Sequence, residues 1–163
     1  MAFLPDDYKV PETGNYMKLV SGDNRFRILS KPIVGWLDWK DKKPLRFTMD
    51  ARPESPVDPK KPIKHFWAFV VWNYASERVQ VLEVHQQGIQ KAIKAMDDSP
   101  EWGDPVNYDI KVNKEGQGME TEYTVTPLPP KPLMPEIAEL FGKMTVNLDK
   151  LFANGDPFSV TPF

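Results

Sequence analysis

The sequence predicts a mostly β chain: a five-stranded barrel with one helix between its third and fourth strand groups, followed by short C-terminal helices. Three observations point there. Most periodic segments alternate apolar and polar side chains, which is the period of a half-buried strand. One stretch of about a dozen residues switches to helical spacing. Seventeen prolines among 163 residues leave little room for long helices, because each removes a backbone donor and breaks a helix interior.

The elements follow in order. Residues 1–14 read as an N-terminal arm, since Pro5, Pro11 and Gly14 interrupt any period. Tyr16–Leu19 starts a strand, and Ser21–Asn24 is a turn by composition. In Arg25–Leu29, Phe26 and Ile28 alternate with Arg25 and Arg27. The strand resumes after Pro32 as Ile33–Trp39. Leu45, Phe47 and Met49 alternate in a further strand. Arg52–Pro62 holds four prolines and reads as an extended loop. Lys64–Tyr74 is the strongest strand, dense in aromatic and β-branched residues, and a tight turn at Ala75–Glu77 pairs it with Arg78–Val84. In His85–Asp97, Ile89, Ala92, Ile93 and Met96 recur as on one helix face. Asn107–Val112 and Met119–Thr126 form a hairpin around Lys114–Gly118. Pro127–Pro135 has five prolines in nine residues and reads as a stiff linker. Glu136–Gly142 and Asn147–Phe152 read as short helices. The domain therefore spans 15–127, and 128–163 is a Pro-rich linker with a C-terminal tail. Three strand groups, a helix and two strands is the order of the oligonucleotide-binding (OB) fold.

Composition removes several function classes. The chain has no cysteine, which excludes disulfide scaffolds, thiolate zinc sites and thiol catalysis. The longest apolar run, Phe66–Trp72, is far short of the ~20 residues of a membrane helix. Met1–Val10 lacks a basic start followed by an apolar stretch, so no secretory signal is expected. Phosphate-loop, dinucleotide and nucleophile-elbow motifs are missing. Gly116-Gln117-Gly118 lies in a hairpin rather than at a helix start. His65 and His85 have no carboxylate at metal-ligand spacing. The acidic residues Asp97, Asp98, Glu101, Asp104, Glu120 and Glu122 read as solvated turns and strand faces rather than a two-metal site. No enzyme activity and no cofactor is expected.

The net charge of -2 is unevenly spread. Residues 25–64 carry eleven basic against five acidic side chains, a local +6. Such a segment attracts a polyanion while the remainder repels it. Aromatics are interleaved with the bases: Trp36, Trp39, Lys40, Lys42, Lys43 and Arg46 in one run, Lys60, Lys61, Lys64, His65 and Trp67 in another. Single-stranded nucleic acid offers a line of phosphates and a series of unstacked base faces. Lysine and arginine meet the first, and flat rings meet the second at about 1–3 kcal/mol per stacked base. In Lys64–Tyr74, the small Ala68 and Val70 are expected inside a narrow barrel, which puts His65 and Trp67 outside. With Arg25 and Arg27, these residues make up the expected DNA-binding set. A carbohydrate-binding or virion accessory β-domain is the other reading, since exposed tryptophans also stack on sugars. Neutral glycans would leave Lys60, Lys61 and Lys64 without a role.

The runs Phe26–Ser30, Gly35-Trp36-x-x-Trp39, Lys64–Tyr74 and Gly118–Tyr123 resemble a family of small bacteriophage OB-fold proteins that bind single-stranded DNA. The resemblance covers about residues 13–130. It implies coating of single-stranded DNA without sequence preference during phage replication or recombination, in the cytoplasm of the infected bacterium. The closing Pro162-Phe163 is similar to the tip of bacterial single-stranded DNA-binding proteins, although the acidic run before that tip is mostly missing here. In those proteins the tip docks replication and repair partners, so the similarity implies docking of phage or host replication or recombination proteins by this tail. The same apolar terminus would alternatively pack back onto the domain or onto a second subunit, as in a homodimer. Held away by the stiff linker, the tail is expected to be dispensable, so that truncation after Lys131 leaves a folded barrel with equal or higher affinity for single strands.

Overall fold

The computed structural model describes residue 3 and residues 14–158. Seven strands form one antiparallel sheet: β1 (Gly22–Ile28), β2 (Ile33–Lys40), β3 (Lys43–Thr48), β4 (Lys64–Asn73), β5 (Arg78–Val84), β6 (Asp109–Glu115) and β7 (Glu122–Pro127). Helix α1 (Gln87–Asp98) joins β5 to β6, and α2 (Pro135–Gly142) follows β7. The strand order is β3-β2-β4-β1-β6-β7, with β5 on the other edge of β4. No helix among the described residues is long and apolar enough to cross a membrane.

The long strand β4 organises this sheet. Its second half pairs with β5 along one edge; on the other edge its first half pairs with β2 and its last residues with β1. The chain breaks between β1 and β2 at Ser30–Pro32, where a proline cannot donate to a ladder. On the edge away from β5, the break leaves the Val70 N–H and carbonyl without a strand partner. Ser30 repairs it: its hydroxyl accepts from the Val70 N–H at 3.0 Å, and Leu29 N–H donates to the Val70 carbonyl at 2.8 Å.

The sheet does not close. Among the described residues, β5 and β7 are not paired with each other, so the closed five-stranded barrel expected from the sequence gives way to an open sheet of seven. The free edge of β5 is taken by the chain before β1 instead. Met17 N–H donates to the Val81 carbonyl and Val81 N–H to that of Asn15, both at 2.8 Å. Tyr16 makes only this isolated bridge, rather than belonging to the strand expected at 16–19. The expected turn at 21–24 is mostly strand; Asn24 holds the entry, with its amide bonded to Val20 and Val112.

Each face of the sheet has its own core. On one, α1 lays Ile89, Ile93 and Met96 against Phe26, Ile28, Phe69, Val71, Leu82, Val84, Tyr108, Ile110 and Val112. The alternation expected for Tyr108, Ile110 and Val112 holds, and all three are fully buried. On the other face Leu37, Phe66, Ala68 and Val81 lie beneath Leu151, with Leu148, Phe152 and Phe158 around it. The 3-10 turn Leu148–Ala153 is thus a lid on the sheet. This corrects the picture of a tail held away from the domain. The Pro-rich segment is extended as expected, but it runs along the sheet: Leu128 N–H bonds to the Asp109 carbonyl and Lys131 N–H to that of Asn107. Burial of Leu151 and Ile137 ties the tail to the fold, and a single buried leucine contributes about 1.5–3 kcal/mol.

Candidate nucleic-acid interface

Three of the sequence-predicted cations are held in ion pairs. Arg25 donates to Asp109 at 2.6 Å and lies over the Tyr74 ring at 4.9 Å. Arg27 is buried; it donates to the carbonyls of Val106 and Lys131, both at 2.8 Å, and stands 3.6 Å from Asp109. Asp109 is fully buried and also meets Lys131 at 3.3 Å and the Tyr74 hydroxyl at 2.8 Å. Burial pushes its carboxyl up, but the bonds from Arg25 and Tyr74 and the charge of Lys131 outweigh that and hold it below the usual range. The same burial and the bond to Asp109 push the Tyr74 hydroxyl up to about 12. Arg46 pairs with Glu83 at 2.8 Å and reaches the Leu151 carbonyl and Asn154 in the lid. These arginines join strands to each other and to the tail.

The lysines are placed differently. A two-residue turn joins β2 to β3, with Asp41 and Lys42 both at positive φ (51° and 65°). That is the hairpin turn whose twist suits paired strands, here made without glycine. It carries Lys40, Lys42 and Lys43 at an exposed tip. The Pro-rich loop 52–62 comes back alongside. Buried Asp38 fixes it, accepting from Trp39 N–H at 2.8 Å and from Val57 N–H at 3.1 Å. Asp58 then shapes the loop end by accepting from Lys60 N–H. The result is an open hollow of about 400 Å³ lined by Trp39, Lys42, Lys60, Lys61, Pro62 and Lys64. Lys61 lies over the Trp39 ring, 5.9 Å from its centre. Among the described residues, no carboxylate forms an ion pair with Lys40, Lys42, Lys43, Lys60, Lys61 or Lys64.

Trp36, His65 and Trp67 form a second group on the opposite face, meeting the hollow where Lys64 is followed by His65. His65 sits 5.2 Å from the Trp36 ring. Its Nδ1 is 2.8 Å from the Gly35 carbonyl and its Nε2 accepts from the Trp67 indole N–H at 3.2 Å. Because an indole only donates, this bond makes Nε2 the acceptor and places the imidazole proton on Nδ1. Gly35 is required here: a Cβ would lie 2.1 Å from the Phe47 carbonyl oxygen. Trp67 does not face outward as the size of Ala68 implied. It is half-buried and packs on the α1 side, while Phe66 and Ala68 face the lid. The expectation failed because both faces of β4 are covered. Arg52, outside the expected set, stands 4.6 Å above the Trp36 ring, and the Trp36 indole donates to the Met49 carbonyl at 3.1 Å. The +6 count was its only trace in the sequence. Asp38 left no trace, since an acidic residue in a basic segment reads as dilution.

His85 is half-buried, and burial followed by the charge of Lys64 lowers its pKa. No group of three metal-ligating side chains occurs among the described residues. Pro162 and Phe163 lie outside the described residues. The chain matches no family model, no curated protein and no solved structure.

Proposed function

We propose that this chain binds single-stranded DNA without sequence specificity, by phosphate contacts in the lysine hollow and base stacking on the neighbouring tryptophans. The observation that carries the reading is the hollow itself: Lys42, Lys60, Lys61 and Lys64 around Trp39. Ammonium groups that meet no carboxylate among the described residues, set around a ring, suit a phosphate line with splayed bases. The rings now hold cations, Lys61 on Trp39 and Arg52 on Trp36. An exposed cation–π contact is worth about 0.5–1 kcal/mol, against about 1–3 kcal/mol for a stacked base. A base therefore displaces the cation, which is released toward the adjacent phosphate.

The sheet supports this as an opened relative of the OB barrel. In that reading β1 and β2 are one interrupted first strand, β4 and β5 the second and third, and β6 and β7 the hairpin after the helix. With the resemblance in the sequence, the setting is phage DNA replication or recombination in an infected bacterium, with phage or host proteins as further partners. The test is a fluorescence titration of the full chain with a single-stranded oligonucleotide at two salt concentrations, with the matching duplex as control. Quenching that weakens with salt and favours the single strand is expected. Salt-independent binding, equal affinity for the duplex, or no quenching overturns the reading.

A further inference from the structure

A second concavity, of about 460 Å³, opens between α1 and the break separating β1 from β2. Its floor is Ile28, Phe69 and Ile93, and Trp67 and Val106 flank it. Trp67 is thus shared between this cleft and the aromatic row of Trp36 and His65. The size falls in the range of small-ligand sites, about 300–1,000 Å³. Its polar rim carries both charges, Lys31 and Lys94 against Asp97 and Asp104, all four exposed. Ser30 already donates to the Lys31 carbonyl and accepts from Val70. Lys94 is held by Asp98 at 2.6 Å. Asp97 and Asp104 also line the cleft; Asp104 uses one oxygen to accept from Val106 N–H at 3.1 Å, which leaves the other. Lys31 is exposed at the mouth.

We infer that this cleft seats one base of the bound strand, and that its carboxylates select bases carrying an exocyclic amino group. The inference rests on the single-strand reading above and refines it: the hollow takes any sequence, and one subsite adds a modest base preference. The apolar floor takes the base face, Lys31 meets the phosphate outside, and Asp97 and Asp104 accept from the amino group. Carboxylates accept from the cytosine N4 amino group, whereas thymine presents an O4 acceptor at that edge. Two acceptors facing each other are repulsive.

The experiment titrates the full chain with oligo-dC and oligo-dT of equal length at one low salt concentration. Both are pyrimidines, so stacking differs little. About fivefold tighter binding of oligo-dC is expected. The variant D97N/D104N should bring the ratio close to one; an amide oxygen at position 104 still accepts from Val106 N–H, so folding is retained. Val34→Trp, at an exposed position on the rim, should fill the mouth and do the same. Equal binding of both oligonucleotides by the unaltered chain, as a cleft made for a protein segment would give, overturns the inference alone. A preference that survives both variants also overturns it. Failure of both oligonucleotides to bind overturns the single-strand reading and the subsite together.

Discussion

Arginines and lysines of one basic segment meet opposite fates in this molecule. Arg25, Arg27 and Arg46 converge on Asp109 and Glu83, Arg27 and Arg46 shielded from solvent and Arg25 reaching the buried carboxylate from the surface. The six lysines of the turn tip and the Pro-rich loop stand in solvent without carboxylate partners among the described residues. The division follows side-chain chemistry. A guanidinium is planar, weakly hydrated and able to satisfy several acceptors at once, which suits burial; an ammonium is strongly hydrated and stays outside. A charge count treats both as one field. What remains available to a polyanion is the lysine share together with Arg52, the fourth arginine of the segment, which is exposed over the Trp36 ring.

The comparison breaks most readily at Asp109. Asp109→Ala leaves Arg27 buried without its counter-charge and should cost about 3–5 kcal/mol in chemical denaturation. The single-strand affinity of the protein that still folds should change little. If affinity falls while stability holds, the arginine cluster belongs to the binding site. The acid limb gives a second reading of the same group. The Asp109 carboxyl is depressed in the folded protein, so its stabilisation is present above the unfolded carboxylate pKa and is lost as pH falls through the lower folded value. Asp109→Asn should flatten that part of the stability-pH curve, and an unchanged acid limb would contradict the assignment.

Leu151→Ala tests the scaffold side at the lid. Leu151 is 1% exposed over Leu37, Phe66 and Val81, and a loss of about 2–4 kcal/mol is expected from the cavity. Calorimetry showing no loss would return the tail to the dispensable role first read from the sequence. Truncation after Lys131 is accordingly expected to destabilise the fold by more than Leu151→Ala.

The smallest effect on stability, and the sharpest on binding, is expected for Lys60, Lys61 and Lys64 changed together to Ala. Surface changes of this kind stay within about 0.5 kcal/mol. Binding should weaken for all sequences alike, and the salt slope should fall by about 0.7 for each lost phosphate contact. An intact slope would show that phosphate passes elsewhere.

How much of this was legible follows the range of the interactions. Strand positions came from alternation, a local signal, and β2, β4, β5 and α1 lie within a few residues of their expected bounds. The openness of the sheet depends on whether β5 meets β7, which no local pattern encodes. Trp67 was misplaced because a strand covered on both faces has no polar side to mark its orientation. The hollow was legible as composition, since its lysines fall in two short runs. The ion pairs were not: Arg25 and Asp109 are 84 residues apart, and Arg46 and Glu83 37 apart.

The lid also sets an order of events. Arg46 and the Leu151 carbonyl that it meets are separated by 105 residues, so this contact closes a very long loop and forms late. Chain synthesis proceeds N-terminus first, at about 5–20 residues per second. The apolar patch of Leu37, Phe66, Ala68 and Val81 is therefore made well before the segment that covers it. During that interval the nascent chain exposes an apolar patch, the kind of surface that favours self-association until the lid arrives.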